Sequence, residues 1–184
     1  KSFDHVISNF GIEYSNVERS IIEIARILKK NGSLNIICHH HTSDLIKKSK
    51  KELTFITDLL KKNRAIDKLE YFLEAMISEV KPEQSDNLRN DLNSEMSSLL
   101  NKYGSYLYSS EFMAFFKHIF SKDVTEKLAE LHLYKDQLLG YKSRITAMVN
   151  AALNEQSILA INKMLTDSDI SLIDQYKITA EKLL

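Results

Sequence analysis

Phe3-Asp4-His5-Val6-Ile7-Ser8-Asn9-Phe10, the run from Asn16 to Lys30, and Asn31-Gly32-Ser33-Leu34-Asn35-Ile36-Ile37-Cys38 together decide the fold. The first stretch reads as a short β-strand that ends in a polar turn. Asn16 is a good N-cap, and Val17, Ile21, Ile24, Ala25 and Leu28 then recur at helical spacing. Glu18 in the first turn and Lys29 and Lys30 in the last complement the helix dipole. Asn31-Gly32 is expected to stop this helix at Lys30, with Gly32 as the left-handed residue beyond its end. Ser33 to Cys38 then forms a second strand, apolar enough at its end to be covered on both faces. Strand, helix, turn and strand make a right-handed βαβ crossover, and therefore a parallel pair.

From Thr42 onward the periodicity is helical. Thr42 or Ser43 can cap a helix carrying Leu45, Ile46, Leu53, Ile56, Leu59 and Leu60. A second helix follows Asn63 through Leu69, Phe72, Leu73 and Ile77, with Pro82 expected to end it. A third runs from Leu88 to Leu100. The rings of Tyr106, Tyr108, Phe112, Phe115, Phe116 and Phe120 follow and read as the core of this helical part. Asp123 starts one very long expected helix over 123–165, whose stripe includes Leu128, Leu131, Leu138, Ile145 and Met148. Ile170 to Thr179 is rich in β-formers and is a candidate third strand.

The wider composition agrees with a largely helical globular chain. Only 4 Gly and 1 Pro occur in 184 residues, too few for a loop-rich or all-β protein. Lys+Arg and Asp+Glu both total 25, so no net field steers the chain to nucleic acid, and the local basic runs read as solvated helix faces. No apolar run approaches the ~20 residues that span a bilayer. The single cysteine, Cys38, excludes an internal disulfide and reads as a buried core residue. A cytoplasmic location is the expectation.

In an open parallel sheet, ligands bind beyond the carboxyl ends of the strands. Here those ends deliver Ser8-Asn9-Phe10-Gly11-Ile12-Glu13-Tyr14 and His39-His40-His41-Thr42-Ser43. Regular strand alternation would turn His39 and His41 to one side and His40, with Ile36 and Cys38, to the other. Three such histidines do not converge on one ion, so no metal site is expected.

Phe3 to Tyr14 resembles the fourth strand and following loop of class I S-adenosylmethionine-dependent methyltransferases. Ile24-Ala25-Arg26-Ile27-Leu28-Lys29-Lys30-Asn31-Gly32-Ser33-Leu34 is similar to the helix and fifth-strand signature of the same family, with Lys30-Asn31-Gly32 in place of the commoner Pro-Gly-Gly. The resemblance covers residues 1–43. It implies an α/β chain holding part of a Rossmann-like methyltransferase sheet, dominated by a large α-helical insertion. The implied organisation is the βαβ part of the core at 1–43, a helical insertion or cap at 44–143, and a closing helix with the candidate strand at 144–184. It also implies S-adenosylmethionine as cofactor, with Asn9, Phe10 and Tyr14 bordering its methionine end. Glu13, His39 and His41 would line the site of an unidentified methyl acceptor. A histidine at a strand end suits a general base, and His40 is assigned that role.

The family's Gly-rich cofactor loop has no counterpart here, because no Gly-x-Gly occurs in the chain. The sequence is therefore expected to be an internal portion of a longer polypeptide and not to bind the cofactor by itself. The family's Asn-Pro-Pro-Tyr motif is also absent, which disfavours exocyclic-amine methylation. Two other readings fit the same pattern: a portion of a nicotinamide-dependent oxidoreductase, and a non-enzymatic helical interaction module. In either, as in the first, the 123–165 helix could support a homo-oligomer.

Overall fold

A computed structural model describes residues 1–78 and 80–178. The chain divides into two compact units, Lys1–Lys48 with Ala147–Leu184, and Ser49–Thr146.

In the first unit, β1 (Phe3–Asn9) pairs in parallel with β2 (Leu28–Ile37). Between them lie a 3-10 turn (Ile12–Tyr14) and α1 (Val17–Ile27). The Asn16 side chain accepts the Arg19 amide at 3.0 Å and starts α1 as expected. The helix stops three residues earlier than the sequence suggests, because Leu28 is already extended and begins β2. Register is regular from His5↔Ser33 to Asn9↔Ile37, but Phe3 pairs with Leu28, so Lys29–Gly32 bulge out of the ladder. Asn31, with φ 65°, is the left-handed residue here, where Gly32 was expected. Glycine is needed at 32 for a different reason. A Cβ there would lie 2.8 Å from the Asp4 carbonyl oxygen and 2.8 Å from Leu28 Cδ1.

The core of this unit lies on one face of the pair. Ile12, Ile21, Ile24 and Leu165 are buried, with Val6, Leu34, Ile36, Cys38, Ile161 and Met164 against them. The other face carries Ile7, which is 65% exposed, so β2 is not covered on both sides. Each fully buried Ile or Leu contributes roughly 1.5–3 kcal/mol, so this small cluster is what fixes α1 on the strands.

Helices α2 (Asp44–Leu59), α3 (Ala65–Ile77), α4 (Pro82–Tyr103), α5 (Ser105–Tyr108), α6 (Glu111–Ile119) and α7 (Val124–Ala151) follow. Pro82 occupies the first turn of α4 and does not end α3, which closes before Ser78. A ring with no N–H costs nothing at that first position. In the second unit Phe55, Leu59, Ile66, Leu69, Leu99, Phe112, Ile119 and Leu131 are buried. Phe55 packs edge-on to Tyr103 at 4.9 Å and Phe115 stacks on Tyr134 at 3.9 Å, so the aromatic stretch serves this core. Among the described residues, no helix is long and apolar enough to cross a membrane.

The expected single helix over 123–165 is two helices. It breaks at Ala152–Asn154, where Leu153 turns extended, and α8 (Glu155–Asp167) restarts with the Asn154 side chain accepting the Ser157 amide at 2.8 Å. Helix α8 packs on α1 through Leu165. The candidate strand is not formed: Ile170–Ile178 has no regular structure, and Thr179 lies outside the described residues.

Candidate functional site

The parallel pairing brings the two strand ends together as the crossover requires, with Asn9 opposite Ile37. Phe10 follows in the left-handed region, φ 52°, while its amide donates to the Ile37 carbonyl at 2.7 Å. This turn throws the Phe10 ring outward, 51% exposed, and over the His39 imidazole with centroids 4.5 Å apart. Ser8 Oγ accepts the Ile12 amide at 3.0 Å, which tightens the loop and starts the 3-10 turn. That turn buries Ile12 and Glu13 and leaves Tyr14 half exposed, edge-on to His39 at 6.4 Å. Asn9 is exposed, and its side chain makes no hydrogen bond among the described residues.

Glu13 is the centre of this arrangement. Its Oε1 receives the His39 ring at Nδ1, 3.0 Å away, and the His39 backbone N–H at 3.3 Å. The carboxyl side chain is wholly inaccessible, and Oε2 has no partner of hydrogen-bond geometry. The Cys38 thiol lies beside it. Burial first, and the Glu13 charge second, push that thiol up to about 12, which leaves it protonated and inert at neutral pH.

The histidines do not alternate. Strand β2 ends at Ile37, and the chain then bridges to Leu153 in parallel. The Leu153 amide donates to the His39 carbonyl at 2.8 Å, and the His41 amide donates to the Leu153 carbonyl at 2.9 Å. A turn follows, with the Ser43 amide donating to the His40 carbonyl at 2.9 Å. His39 therefore faces Glu13, whereas His40 and His41 both face Glu155. His41 Nε2 lies 2.8 Å from Glu155 Oε2, and His40 Nε2 lies 3.4 Å from Oε1. His40 Nδ1 is engaged by the Thr42 hydroxyl at 2.8 Å. Burial, then the Lys177 ammonium, holds His40 below its ordinary value. Its own backbone amide, then His41, holds Glu155 down to about 2.

Asn9, Phe10, Glu13, Tyr14 and the three histidines thus all lie at the strand ends, and all but Asn9 fall in two groups: Phe10, Glu13, Tyr14 and His39, and His40 and His41 with Glu155. Glu155 was missed because the sequence reads as helix through it. Asn154, an N-cap residue followed by Glu155, was the available signal. Two surface cavities occur elsewhere, in the helical unit, lined in part by Tyr71 and Leu88.

Comparisons with protein-family models, with curated proteins and with solved structures found no match to this chain.

Proposed function

We propose that the strand ends form the acceptor-side part of an S-adenosylmethionine-dependent methyl-transfer site. The observation that supports this most is the packing of Phe10, Tyr14 and His39 over a buried carboxylate, just beyond two parallel strands. The exposed rings offer π-faces and the carboxylate offers negative charge, a combination that suits a sulfonium cation. The residues present fit the methyl end of that cofactor. No Gly-x-Gly cradle for the rest of it occurs in these 184 residues.

Bound S-adenosylmethionine would supply a methyl on cationic sulfur for attack by an acceptor lone pair, the sulfur leaving with the electrons of the broken bond. The chain's own contribution is orientation and proton removal. Glu13 Oε1 takes the Nδ1–H of His39, which fixes the tautomer and leaves Nε2 as the proton acceptor for a hydroxyl or amine. His39 suits this role better than His40, whose Nδ1 is engaged by Thr42 and whose Nε2 is buried toward Glu155. Phe10 and Tyr14 hold the reacting groups in register, where proximity supplies much of the rate.

The test is photo-crosslinking of S-adenosylmethionine, radiolabelled in its methyl group, to the polypeptide as the cell makes it. Label should map to the loop between Ser8 and Ser15 and fall with excess S-adenosylhomocysteine or in Phe10→Ala. Label elsewhere, or none that the competitor removes, would reject the proposal.

A further inference from the structure

The second histidine group is a different kind of site. His40 and His41 arrive from the end of β2, and Glu155 from the first turn of α8. They are joined across the chain by the bridge of His40 to Leu153, two residues before Glu155. One ligand atom from each side chain lies within 4.8 Å of the others.

That spacing is close to what one ion needs. Zinc bonds to imidazole nitrogen and carboxylate oxygen measure about 2.0–2.2 Å, so tetrahedral ligands sit roughly 3.4 Å from each other. His40 Nε2 and Glu155 Oε1 already stand 3.4 Å apart, and His41 Nε2 and Glu155 Oε2 stand 2.8 Å apart. The widest separation, up to 4.8 Å, must close to roughly 3.4 Å, which rotation of the partly exposed His41 and Glu155 side chains would supply.

A second observation is independent of this proximity. His40 Nε2 is buried and has no hydrogen-bond partner among the described residues, although it points at Glu155. Buried polar atoms are rarely left so, and a bond to an ion would satisfy this one. The other ring nitrogen is already supported, since Thr42 Oγ1 lies 2.8 Å from Nδ1 and can accept its proton. A hydrogen bond of that kind orients a metal-bound histidine and raises its basicity. The Thr42 amide also approaches Nδ1, at a longer 3.3 Å, and that contact would yield when Nδ1 is protonated.

We propose that His40, His41 and Glu155 bind one divalent transition-metal ion of the zinc class through two imidazole nitrogens and a carboxylate. Two nitrogens and one oxygen select such an ion over calcium or magnesium, which prefer all-oxygen shells. Three protein ligands leave a position for water or an exchangeable ligand. Neutral imidazole and ionised carboxylate are the forms that coordinate such an ion. Lys177, whose Nζ lies 3.7 Å from Glu155 Oε1, is the competing cation and would be displaced. Bound metal would tie the end of β2 to α8 and stabilise the first unit by mass action.

The experiment is titration of the full chain with Zn2+ by calorimetry, and with Co2+ followed by its visible absorption. The expected result is one ion per chain, a four-coordinate cobalt spectrum and a higher melting temperature with zinc. His41→Ala and Glu155→Gln should each weaken binding by more than about tenfold, in line with ligand and outer-shell losses elsewhere. Both residues are at least a third exposed, so their variants should keep the wild-type circular dichroism. The control variant His132→Ala alters a histidine paired with Glu70 in the other unit and should bind as wild type. The proposal is overturned if Zn2+ binds equally well to His41→Ala and Glu155→Gln, or if binding occurs only at millimolar concentration.

Discussion

Glu13 gives the most quantitative prediction. Its side chain is fully buried and accepts two hydrogen bonds from His39, at 3.0 Å from the ring and 3.3 Å from the amide. Glu13→Ala leaves both donors without an acceptor. Hydrogen bonds to charged groups are worth ~1.5–3 kcal/mol, and the long amide contact belongs at or below the low end. Against this, the unpartnered Oε2 disappears, which returns roughly 1–2 kcal/mol of desolvation cost. The net loss is then about 2 kcal/mol, or ~30-fold in the opening equilibrium of the first unit. Glu13→Gln keeps the Oε1 acceptor and exchanges the unpartnered Oε2 for an equally unpartnered amide group, so it should cost about 1 kcal/mol or less. Because the chain has two units, global denaturation would blend their responses, and native-state amide exchange of the β2 residues is the proper assay. Equal protection in the wild type and Glu13→Ala, or a larger loss for Gln than for Ala, would show that the Glu13–His39 contacts do not hold the strand ends.

Gly32→Ala should destabilise by ~1–3 kcal/mol through the clash with the Asp4 backbone, whereas Gly140→Ala meets only the Arg144 side chain at 3.6 Å and should be neutral or stabilising; native-state amide exchange of β2 for the first and of α7 for the second decides this. Cys38, pushed up to about 12, should alkylate with iodoacetamide far more slowly at neutral pH than a free thiol of ordinary acidity, as read by mass spectrometry. His40 is held below its ordinary value of 6.5, so the folded state takes up its proton less readily than the unfolded state. Its contribution is full above that value and is lost as pH falls below it. The opening free energy of the β2 residues, read by native-state amide exchange, should therefore drop from about pH 7 to about pH 5, and less steeply in His40→Gln.

The crossover was readable because each of its signals is local. Asn16 caps α1, the apolar period of α1 is regular, and two short β-rich runs flank it. What could not be read depended on contacts distant in sequence. The end of α1 is masked because Ile27 and Leu28 suit helix and strand alike, and pairing with Phe3 decides for the strand at Leu28. The break at Ala152–Asn154 contains neither Gly nor Pro, and the bridge from Leu153 to His40 supplies the alternative hydrogen bonds. That same bridge overrides the alternation expected of the histidines. It places His40 and His41 with Glu155, a residue that no motif in the sequence links to them. At the two strand ends, by contrast, Phe10, Glu13, Tyr14 and His39 were all named from their position, and the structure brings them into contact.

The most direct test of the proposed transfer site is isotope-filtered NMR on the polypeptide as the cell makes it, with S-adenosylmethionine carrying a carbon-13 methyl. Intermolecular Overhauser effects are expected from that methyl to the rings of Phe10 and Tyr14, weakened in Phe10→Ala. A saturably bound cofactor whose methyl contacts neither ring would contradict the proposed site.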